Sequence, residues 1–344
     1  MTPKYNRKFI SRIGDILIAG ESTPEERENA TQTLGEWRTL HLQPLNSFQT
    51  TLRKYVRSVD SNGIVAQRLK RTPTIIDKLH RYKDMELGRM HDIGGLRAIV
   101  KSIQAVRELE EKYRRAKSKH VLKRKYDYIA EPKESGYRGI HLVYENQSPQ
   151  NPDIDGLLIE IQLRSQLQHL WATAVETVGF FYQEALKSSQ GNAVWLEFFQ
   201  LVSAVFAYEE KELPHSSLRH LSKEDLLCRL KQFDSDYGIL AQLNVIQITK
   251  ILQNISLFRN LAYLVLETSV SSTTTKAYPF LIHQQESASL VYRQLEQSQN
   301  CKSGKTHVVL VSVDSVKKIE KAYPNFFLNV KDFIQKIKSM ITHG

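Results

Sequence analysis

Ile159-Glu160-Ile161-Gln162-Leu163-Arg164 alternates apolar and polar residues without a break. As a strand, that pattern sends three apolar side chains to one face and Glu160, Gln162 and Arg164 to the other. A carboxylate, an amide and a guanidinium then stand in a row. Upstream, Arg68-Leu69-Lys70-Arg71 and Lys78 precede Asp92-Ile93-Gly94-Gly95-Leu96-Arg97-Ala98-Ile99-Val100, where a carboxylate opens an apolar strand. Cations ahead of a strand-edge carboxylate suit phosphate oxygens and a divalent metal, because Mg²⁺ takes one or two carboxylates and leaves the rest of its shell to substrate phosphates. Between these segments a loop rich in Pro and Gly carries Lys133, Tyr137, Arg138 and His141. It offers cations for phosphate and an aromatic face for a base. Each piece alone is an ordinary half-solvated strand or polar loop. Together they describe a nucleotide site.

At these residues the chain resembles the synthetase domain of the RelA/SpoT family, the (p)ppGpp synthetases, and particularly the small alarmone synthetases. Four motifs recur in order over about residues 60–180: R-x-K with a later Lys, D-I-x-G-x-R, Y-I-x-x-P-K-x-x-G-Y-R-x-x-H, and E-x-Q-x-R. The resemblance implies transfer of the β,γ-pyrophosphate of ATP to a ribose 3′-hydroxyl, with Mg²⁺ as cofactor. It further implies that Arg68 sandwiches the adenine, that Lys70, Lys78 and Arg97 serve the ATP side, and that Asp92 and Glu160 are the catalytic, metal-holding carboxylates, Glu160 also acting on the 3′-hydroxyl. Tyr137 would stack on the acceptor base, with Lys133, Arg138, His141, Gln162 and Arg164 on the acceptor side. Where the family usually has Lys directly before Asp-Tyr-Ile, this chain has Tyr126, with Lys125 one step earlier.

The acceptor is not fixed by these motifs, since every base has a face on which an aromatic can stack. Arg114, Arg115, Lys117, Lys119, Lys123, Arg124 and Lys125 form a run with no acid among them. As a patch it would attract a polyanion such as tRNA; as a solvated helix face it would attract nothing specific. The segments around Trp37-Arg38 and His169–Glu176 resemble the toxic branch of the small synthetases, which modifies the 3′-terminal adenosine of tRNA. That acceptor leads, with GTP or GDP as the rival. Ala322-Tyr323-Pro324-Asn325-Phe326 resembles the tyrosine element of CapRel-type fused toxin–antitoxins, which implies that Tyr323 and Phe326 occlude the ATP site until a phage protein releases them. A basic RNA-binding module without activity is the non-enzymatic alternative, and the retained Asp92 and Glu160 argue against it.

These residues need a frame. At 344 residues, with 41% hydrophobic residues and 48 Lys plus Arg against 37 Asp plus Glu, the chain is globular and basic, at +11, and long enough for about two folded units. Two cysteines exclude a disulfide framework or a four-thiolate zinc site and point to a reducing, cytoplasmic setting. No apolar run approaches the roughly 20 residues of a membrane span. The expected class is α+β: a mixed-sheet, nucleotidyltransferase-like synthetase domain with flanking helices. The divisions are a helical flank at 1–58 starting a helix at Thr23-Pro24-Glu25-Glu26, the synthetase domain at 59–185, a helical segment at 186–260, and a small α+β unit at 261–344. Strands are expected at 96–100, 140–144 and 157–163, and the stripe of Trp195, Phe198, Phe199, Val202 and Phe206 is expected as core.

Overall fold

The computed structural model describes residues 2–182, 193–246, 261–269, 275–302, 306–313 and 330–343. Three helices open the chain: α1 (Arg7–Ile18), α2 (Pro24–Leu40) and α3 (Leu42–Val59). Helix α2 starts where the sequence signals it, with Thr23 and Glu26 capping each other reciprocally and Pro24 in the first turn. Then follow β1 (Ile64–Leu69), α4 (Thr72–Arg81), β2 (Gly94–Val100), α5 (Ile103–Arg115), β3 (Val121–Asp127), β4 (Ile140–Glu145) and β5 (Leu158–Ser165). Helices α6 (Gln166–Tyr182), α7 (Ala193–Glu209), α8 (Lys223–Tyr237) and α9 (Ile239–Ile246) come next. The remainder is β6 (Leu261–Ser269), β7 (Thr275–Leu281), α10 (Gln285–Glu296), α11 (Gln299–Lys302), β8 (Thr306–Val313) and α12 (Lys331–His343). The architecture is α+β, as the sequence predicts.

Among the described residues, the eight strands form one sheet in the order β3-β4-β5-β2-β1-β8-β6-β7. Its β2–β5 pair is parallel and the other pairs are antiparallel. One face is apolar: Leu96, Ala98, Val100, Ile140, Leu142, Ile159, Ile161 and Leu163 pack under α3, α5 and α10. Because strand side chains alternate, the residues between them are delivered to the opposite face. That face carries the polar groups described below.

The stripe of α7 is core, joined by Leu226 and Leu230 of α8 and Phe333 and Ile337 of α12. A third cluster ties Ile10 and Ile13 of α1 to Leu34 of α2 and Ile75 of α4. The strands after residue 260 do not make a layer of their own. Strand β8 lies against β1, with Ala66 opposite Val313 and Arg68 opposite Val311, so β6, β7 and β8 prolong the same sheet. The physical reason is that β1 would otherwise present a row of unpaired backbone groups. Among the described residues no helix is long and apolar enough to cross a membrane.

Candidate active site

The sheet registers define the site before any side chain is considered. Reading across five strands, Arg124 of β3 is opposite Val143, Val143 opposite Glu160, Glu160 beside Gly95, and Gly95 opposite Arg68. Partners directly opposite share a face, so this is one cross-strand row. At about 4.8 Å per strand, Glu160 sits about 10 Å from an arginine on either side. The neighbouring row runs Tyr126, His141, Gln162, Arg97 and Ala66. Gly95 leaves open space on the row, since a Cβ there would meet nothing closer than a backbone oxygen at 4.0 Å.

On one side of Glu160 lies the cluster built by β1, α4 and the start of β2. Lys70 Nζ donates to Asp92 Oδ2 at 2.8 Å and Lys78 Nζ to Oδ1 at 3.0 Å. Burial would raise the Asp92 carboxyl, but the two ammonium groups outweigh it and hold it well below the usual range. Burial pulls Lys70 below its ordinary value, partly countered by Asp92. Arg68 is half-buried and Arg97 buried on the same face.

On the other side, polar side chains form a relay. Glu160 is 5% exposed. Its Oε1 is 2.9 Å from His141 Nδ1, and its Oε2 accepts Gln162 Nε2 at 2.7 Å. His141 Nε2 is 2.5 Å from the Tyr137 hydroxyl, which also accepts Arg164 Nη2 at 2.9 Å. Arg164 closes the loop by donating to Gln162 Oε1 at 2.8 Å. Burial alone would lower the His141 imidazole; the Tyr137 oxygen and Glu160 overcome it and push it up to about 9. Burial would likewise raise Glu160, but His141 and Gln162 bring it down to about 2, against the opposing charge of Asp92. His91, directly before Asp92, stands 3.9 Å from Glu160, so the two carboxylates approach the same spot on the sheet.

Asp92, Glu160, Lys70, Lys78, Arg68, His141, Gln162 and Arg164 are thus brought to one face. Tyr137 is a correction. It is 6% exposed, wedged between Trp171, Tyr128, His141 and Arg164, because Gly136 takes the left-handed conformation (φ 89°) and packs its loop on Ser203 of α7. Its hydroxyl works in the relay and its ring is not an open shelf. The less buried aromatics are Tyr126 and Tyr128, stacked at 5.7 Å between centroids, with Lys133 Nζ 4.4 Å from the Tyr128 ring. Arg138 is a second correction: it turns into a buried ion pair with Glu210 just past α7. From the sequence His91 reads as a chance neighbour of Asp92 with no role, yet it stacks on Tyr126 and stands 3.9 Å from Glu160. Its position directly before Asp92 was the available signal.

The basic run straddles the end of α5, a turn and β3. It is not a bare row of cations: Arg114 and Arg115 pair with Glu111, Lys125 with Glu110, and Lys123 Nζ lies 3.7 Å from Glu145. These acids precede or follow the run in sequence and meet it only through the helix and the β3–β4 pairing. Tyr323 and Phe326 lie outside the described residues.

Two carboxylates flanked by ammonium and guanidinium groups, with aromatic faces beside them, have the composition to hold phosphate groups and a base. Residues 67–185, which include every member of the row from Arg124 to Arg68, match the family model described as the region found in RelA / SpoT proteins. The GTP pyrophosphokinase YjbM of Bacillus subtilis (strain 168) is 31% identical over 134 residues, covering 38% of this chain and 63% of the relative. The GTP pyrophosphokinase YwaC of the same organism is 30% identical over 112 residues, covering 31% and 52%. The chain therefore spans less than two thirds of the length of these curated relatives. The crystal structure of small alarmone synthetase 1 from Bacillus subtilis bound to its product pppGpp aligns with a TM-score of 0.42 at 24% identity, covering 50% of this chain and 89% of that one.

Proposed function

We propose that this chain is a RelA/SpoT-type pyrophosphokinase that moves the β,γ-pyrophosphate of ATP onto a ribose 3′-hydroxyl and releases AMP. The observation that carries this reading is the row in which buried, ionised Glu160 stands midway between Arg68 and Arg124, with Asp92 and its two ammonium groups alongside. Displacement at phosphorus asks chiefly for alignment and neutralisation of charge, and this face of the sheet sets cations beside fixed carboxylates.

Arg68, Lys70, Lys78 and Arg97 serve the donor half. As ATP enters, Lys70 and Lys78 share their hold on Asp92 with phosphate oxygens. Tyr126, Tyr128 and Lys133 serve the acceptor half in place of the Tyr137 ring. A carboxyl brought down to about 2 accepts a proton poorly, so Glu160 orients the attacking hydroxyl more than it deprotonates it. Among the described residues no cluster of three or more His, Cys, Asp or Glu side chains could hold a metal. Two mutually repelling carboxylates do suit Mg²⁺, whose remaining shell is completed by phosphate and water. Asp92 and Glu160 would hold it, and it would neutralise charge on the transferring phosphates.

The names of the relatives favour a guanine nucleotide as acceptor. The 3′-terminal adenosine of tRNA is the second reading, favoured by the +11 charge and by exposed Arg114, Arg115, Lys117 and Lys119 beside β3. ATP labelled in its β and γ phosphates, incubated with GTP, GDP or deacylated tRNA, decides between them; label in none of the three products overturns the pyrophosphokinase reading. Occlusion of the ATP site by the Tyr323–Phe326 segment, relieved by a phage protein, belongs to the toxin form of this reading. Tyr323→Ala then raises AMP release, and an unchanged rate removes that part.

A further inference from the structure

Arg38 of α2 has a side chain only 1% exposed and is ion-paired at 2.6 Å to Glu296, at the C-terminal end of α10. Its guanidinium also donates to Thr72 Oγ1 at 2.7 Å and to the Tyr292 hydroxyl. Glu296 has a second set of partners. Its Oε1 accepts the Thr72 backbone N–H at 2.9 Å and its Oε2 the Thr72 hydroxyl at 3.1 Å. Thr72 is the first residue of α4, and Arg71 before it makes no side-chain cap.

The first N–H groups of a helix have no partner within it, and a carboxylate placed there satisfies one and meets the positive end of the dipole. Here the cap comes from an element 224 residues later in the chain. Burial would raise the Glu296 carboxyl, yet Arg38 and the Thr72 N–H keep it below its ordinary value, so the cap is charged. Lys78, which grips Asp92, lies about 9 Å further along the same helix axis. A second C-terminal contact is adjacent: Arg71 is bonded to His307 of β8 at 2.6 Å, and β8 pairs with β1 opposite Arg68.

We propose that Glu296 is a positioning residue for the donor half of the site: by capping α4 from α10 it holds that helix, and with it Lys78, against Asp92. Helix α10 and strand β8 are then a strut of the donor half. Only the kinetic readout of this proposal rests on the pyrophosphokinase reading.

The test uses the full chain. Glu296→Gln keeps the volume and one acceptor oxygen but loses the charge, and is expected to raise the KM for ATP about tenfold with kcat within about twofold. Amide hydrogen exchange in the first turn of α4 quickens in parallel. Since the single change leaves Arg38 buried and uncompensated, the double variant Arg38→Met with Glu296→Met removes both charges, which at buried pairs is often neutral for stability. It should melt near the wild-type temperature while retaining the raised KM and the faster exchange. Leu290→Ala, on the exposed side of α10, should change neither. A double variant with wild-type KM overturns the proposal, whether or not its exchange quickens. A wild-type protein that releases no AMP removes the pyrophosphokinase reading instead, and wild-type exchange in α4 of the double variant then overturns the strut by itself.

Discussion

Arg124 and Lys125, neighbours in sequence, project to opposite faces of the sheet. Arg124 lies opposite Val143 on the face that carries Glu160 and donates to the Tyr126 hydroxyl at 3.2 Å, whereas Lys125 lies opposite Leu142 and pairs with Glu110 of α5. Of these two neighbours, Arg124 is the one on the face of the proposed acceptor half. Arg124→Ala should lower kcat/KM for the acceptor at least tenfold, the worth of a lost charge-assisted contact of about 1.5–3 kcal/mol. Lys125→Ala should stay within about twofold. Equal losses in the two steady-state assays would remove the facial assignment.

Asp92 and Glu160 differ in what surrounds them, so their amides should fail differently. Asp92→Asn leaves two ammonium groups without their carboxylate and should cost several kcal/mol of stability as well as activity. Glu160→Gln retains an acceptor for one neighbour and should cost less stability. Both should reduce AMP release by about a thousandfold or more. Thermal melts alongside rate measurements separate the two effects, and substantial turnover in either variant contradicts the site.

The His141–Glu160 pair sets a pH window. His141 rises to about 9 in the folded state, so its contribution is complete below its unfolded value near 6.5 and is lost as pH climbs through 9. Glu160 falls to about 2, so its contribution is complete above the ordinary carboxylate range and is lost as pH drops through 2. Stability should decline between pH 6.5 and 9 in the wild type by on the order of 2 kcal/mol, read as a falling melting temperature, and decline less in His141→Asn. Parallel curves for the two proteins would show that the pair does not set this window.

Tyr137→Phe tests the relay. Its hydroxyl serves both His141 and Arg164, so its loss leaves buried donors unsatisfied at a cost of about 1–3 kcal/mol. The ring itself stays packed against Trp171. Turnover should fall with little change in the KM for the acceptor, whereas a ring that stacked on the base would register in KM when replaced by Leu and not when replaced by Phe.

The strands with an apolar side were legible in the sequence. Leu96–Val100, Ile140–Tyr144 and Leu157–Leu163 fall on β2, β4 and β5, because short apolar runs bounded by glycine and proline read as strands. Strand β3 was not, since an edge strand that carries Lys123, Arg124 and Lys125 has the composition of a solvated helix face and is held by pairing to β4 alone. Asp92 and Glu160 could be picked out by residue type and local pattern. The burial of Tyr137 and the turning away of Arg138 could not, because both follow from where α7 places Ser203 and leads into Glu210, a relationship no local spacing encodes. The capping of α4 by Glu296 is hidden for the same reason.

Strand β8 completes β1 from far along the chain, with Arg68 opposite Val311. During synthesis on the ribosome, β1 must wait with one rim of its backbone bare until β8 emerges, and such long-range pairings form slowly. The strand that bears Arg68 reaches its final hydrogen bonding only after β8 has left the ribosome. A message cut short before that strand yields a protein with a sticky border rather than a smaller working copy.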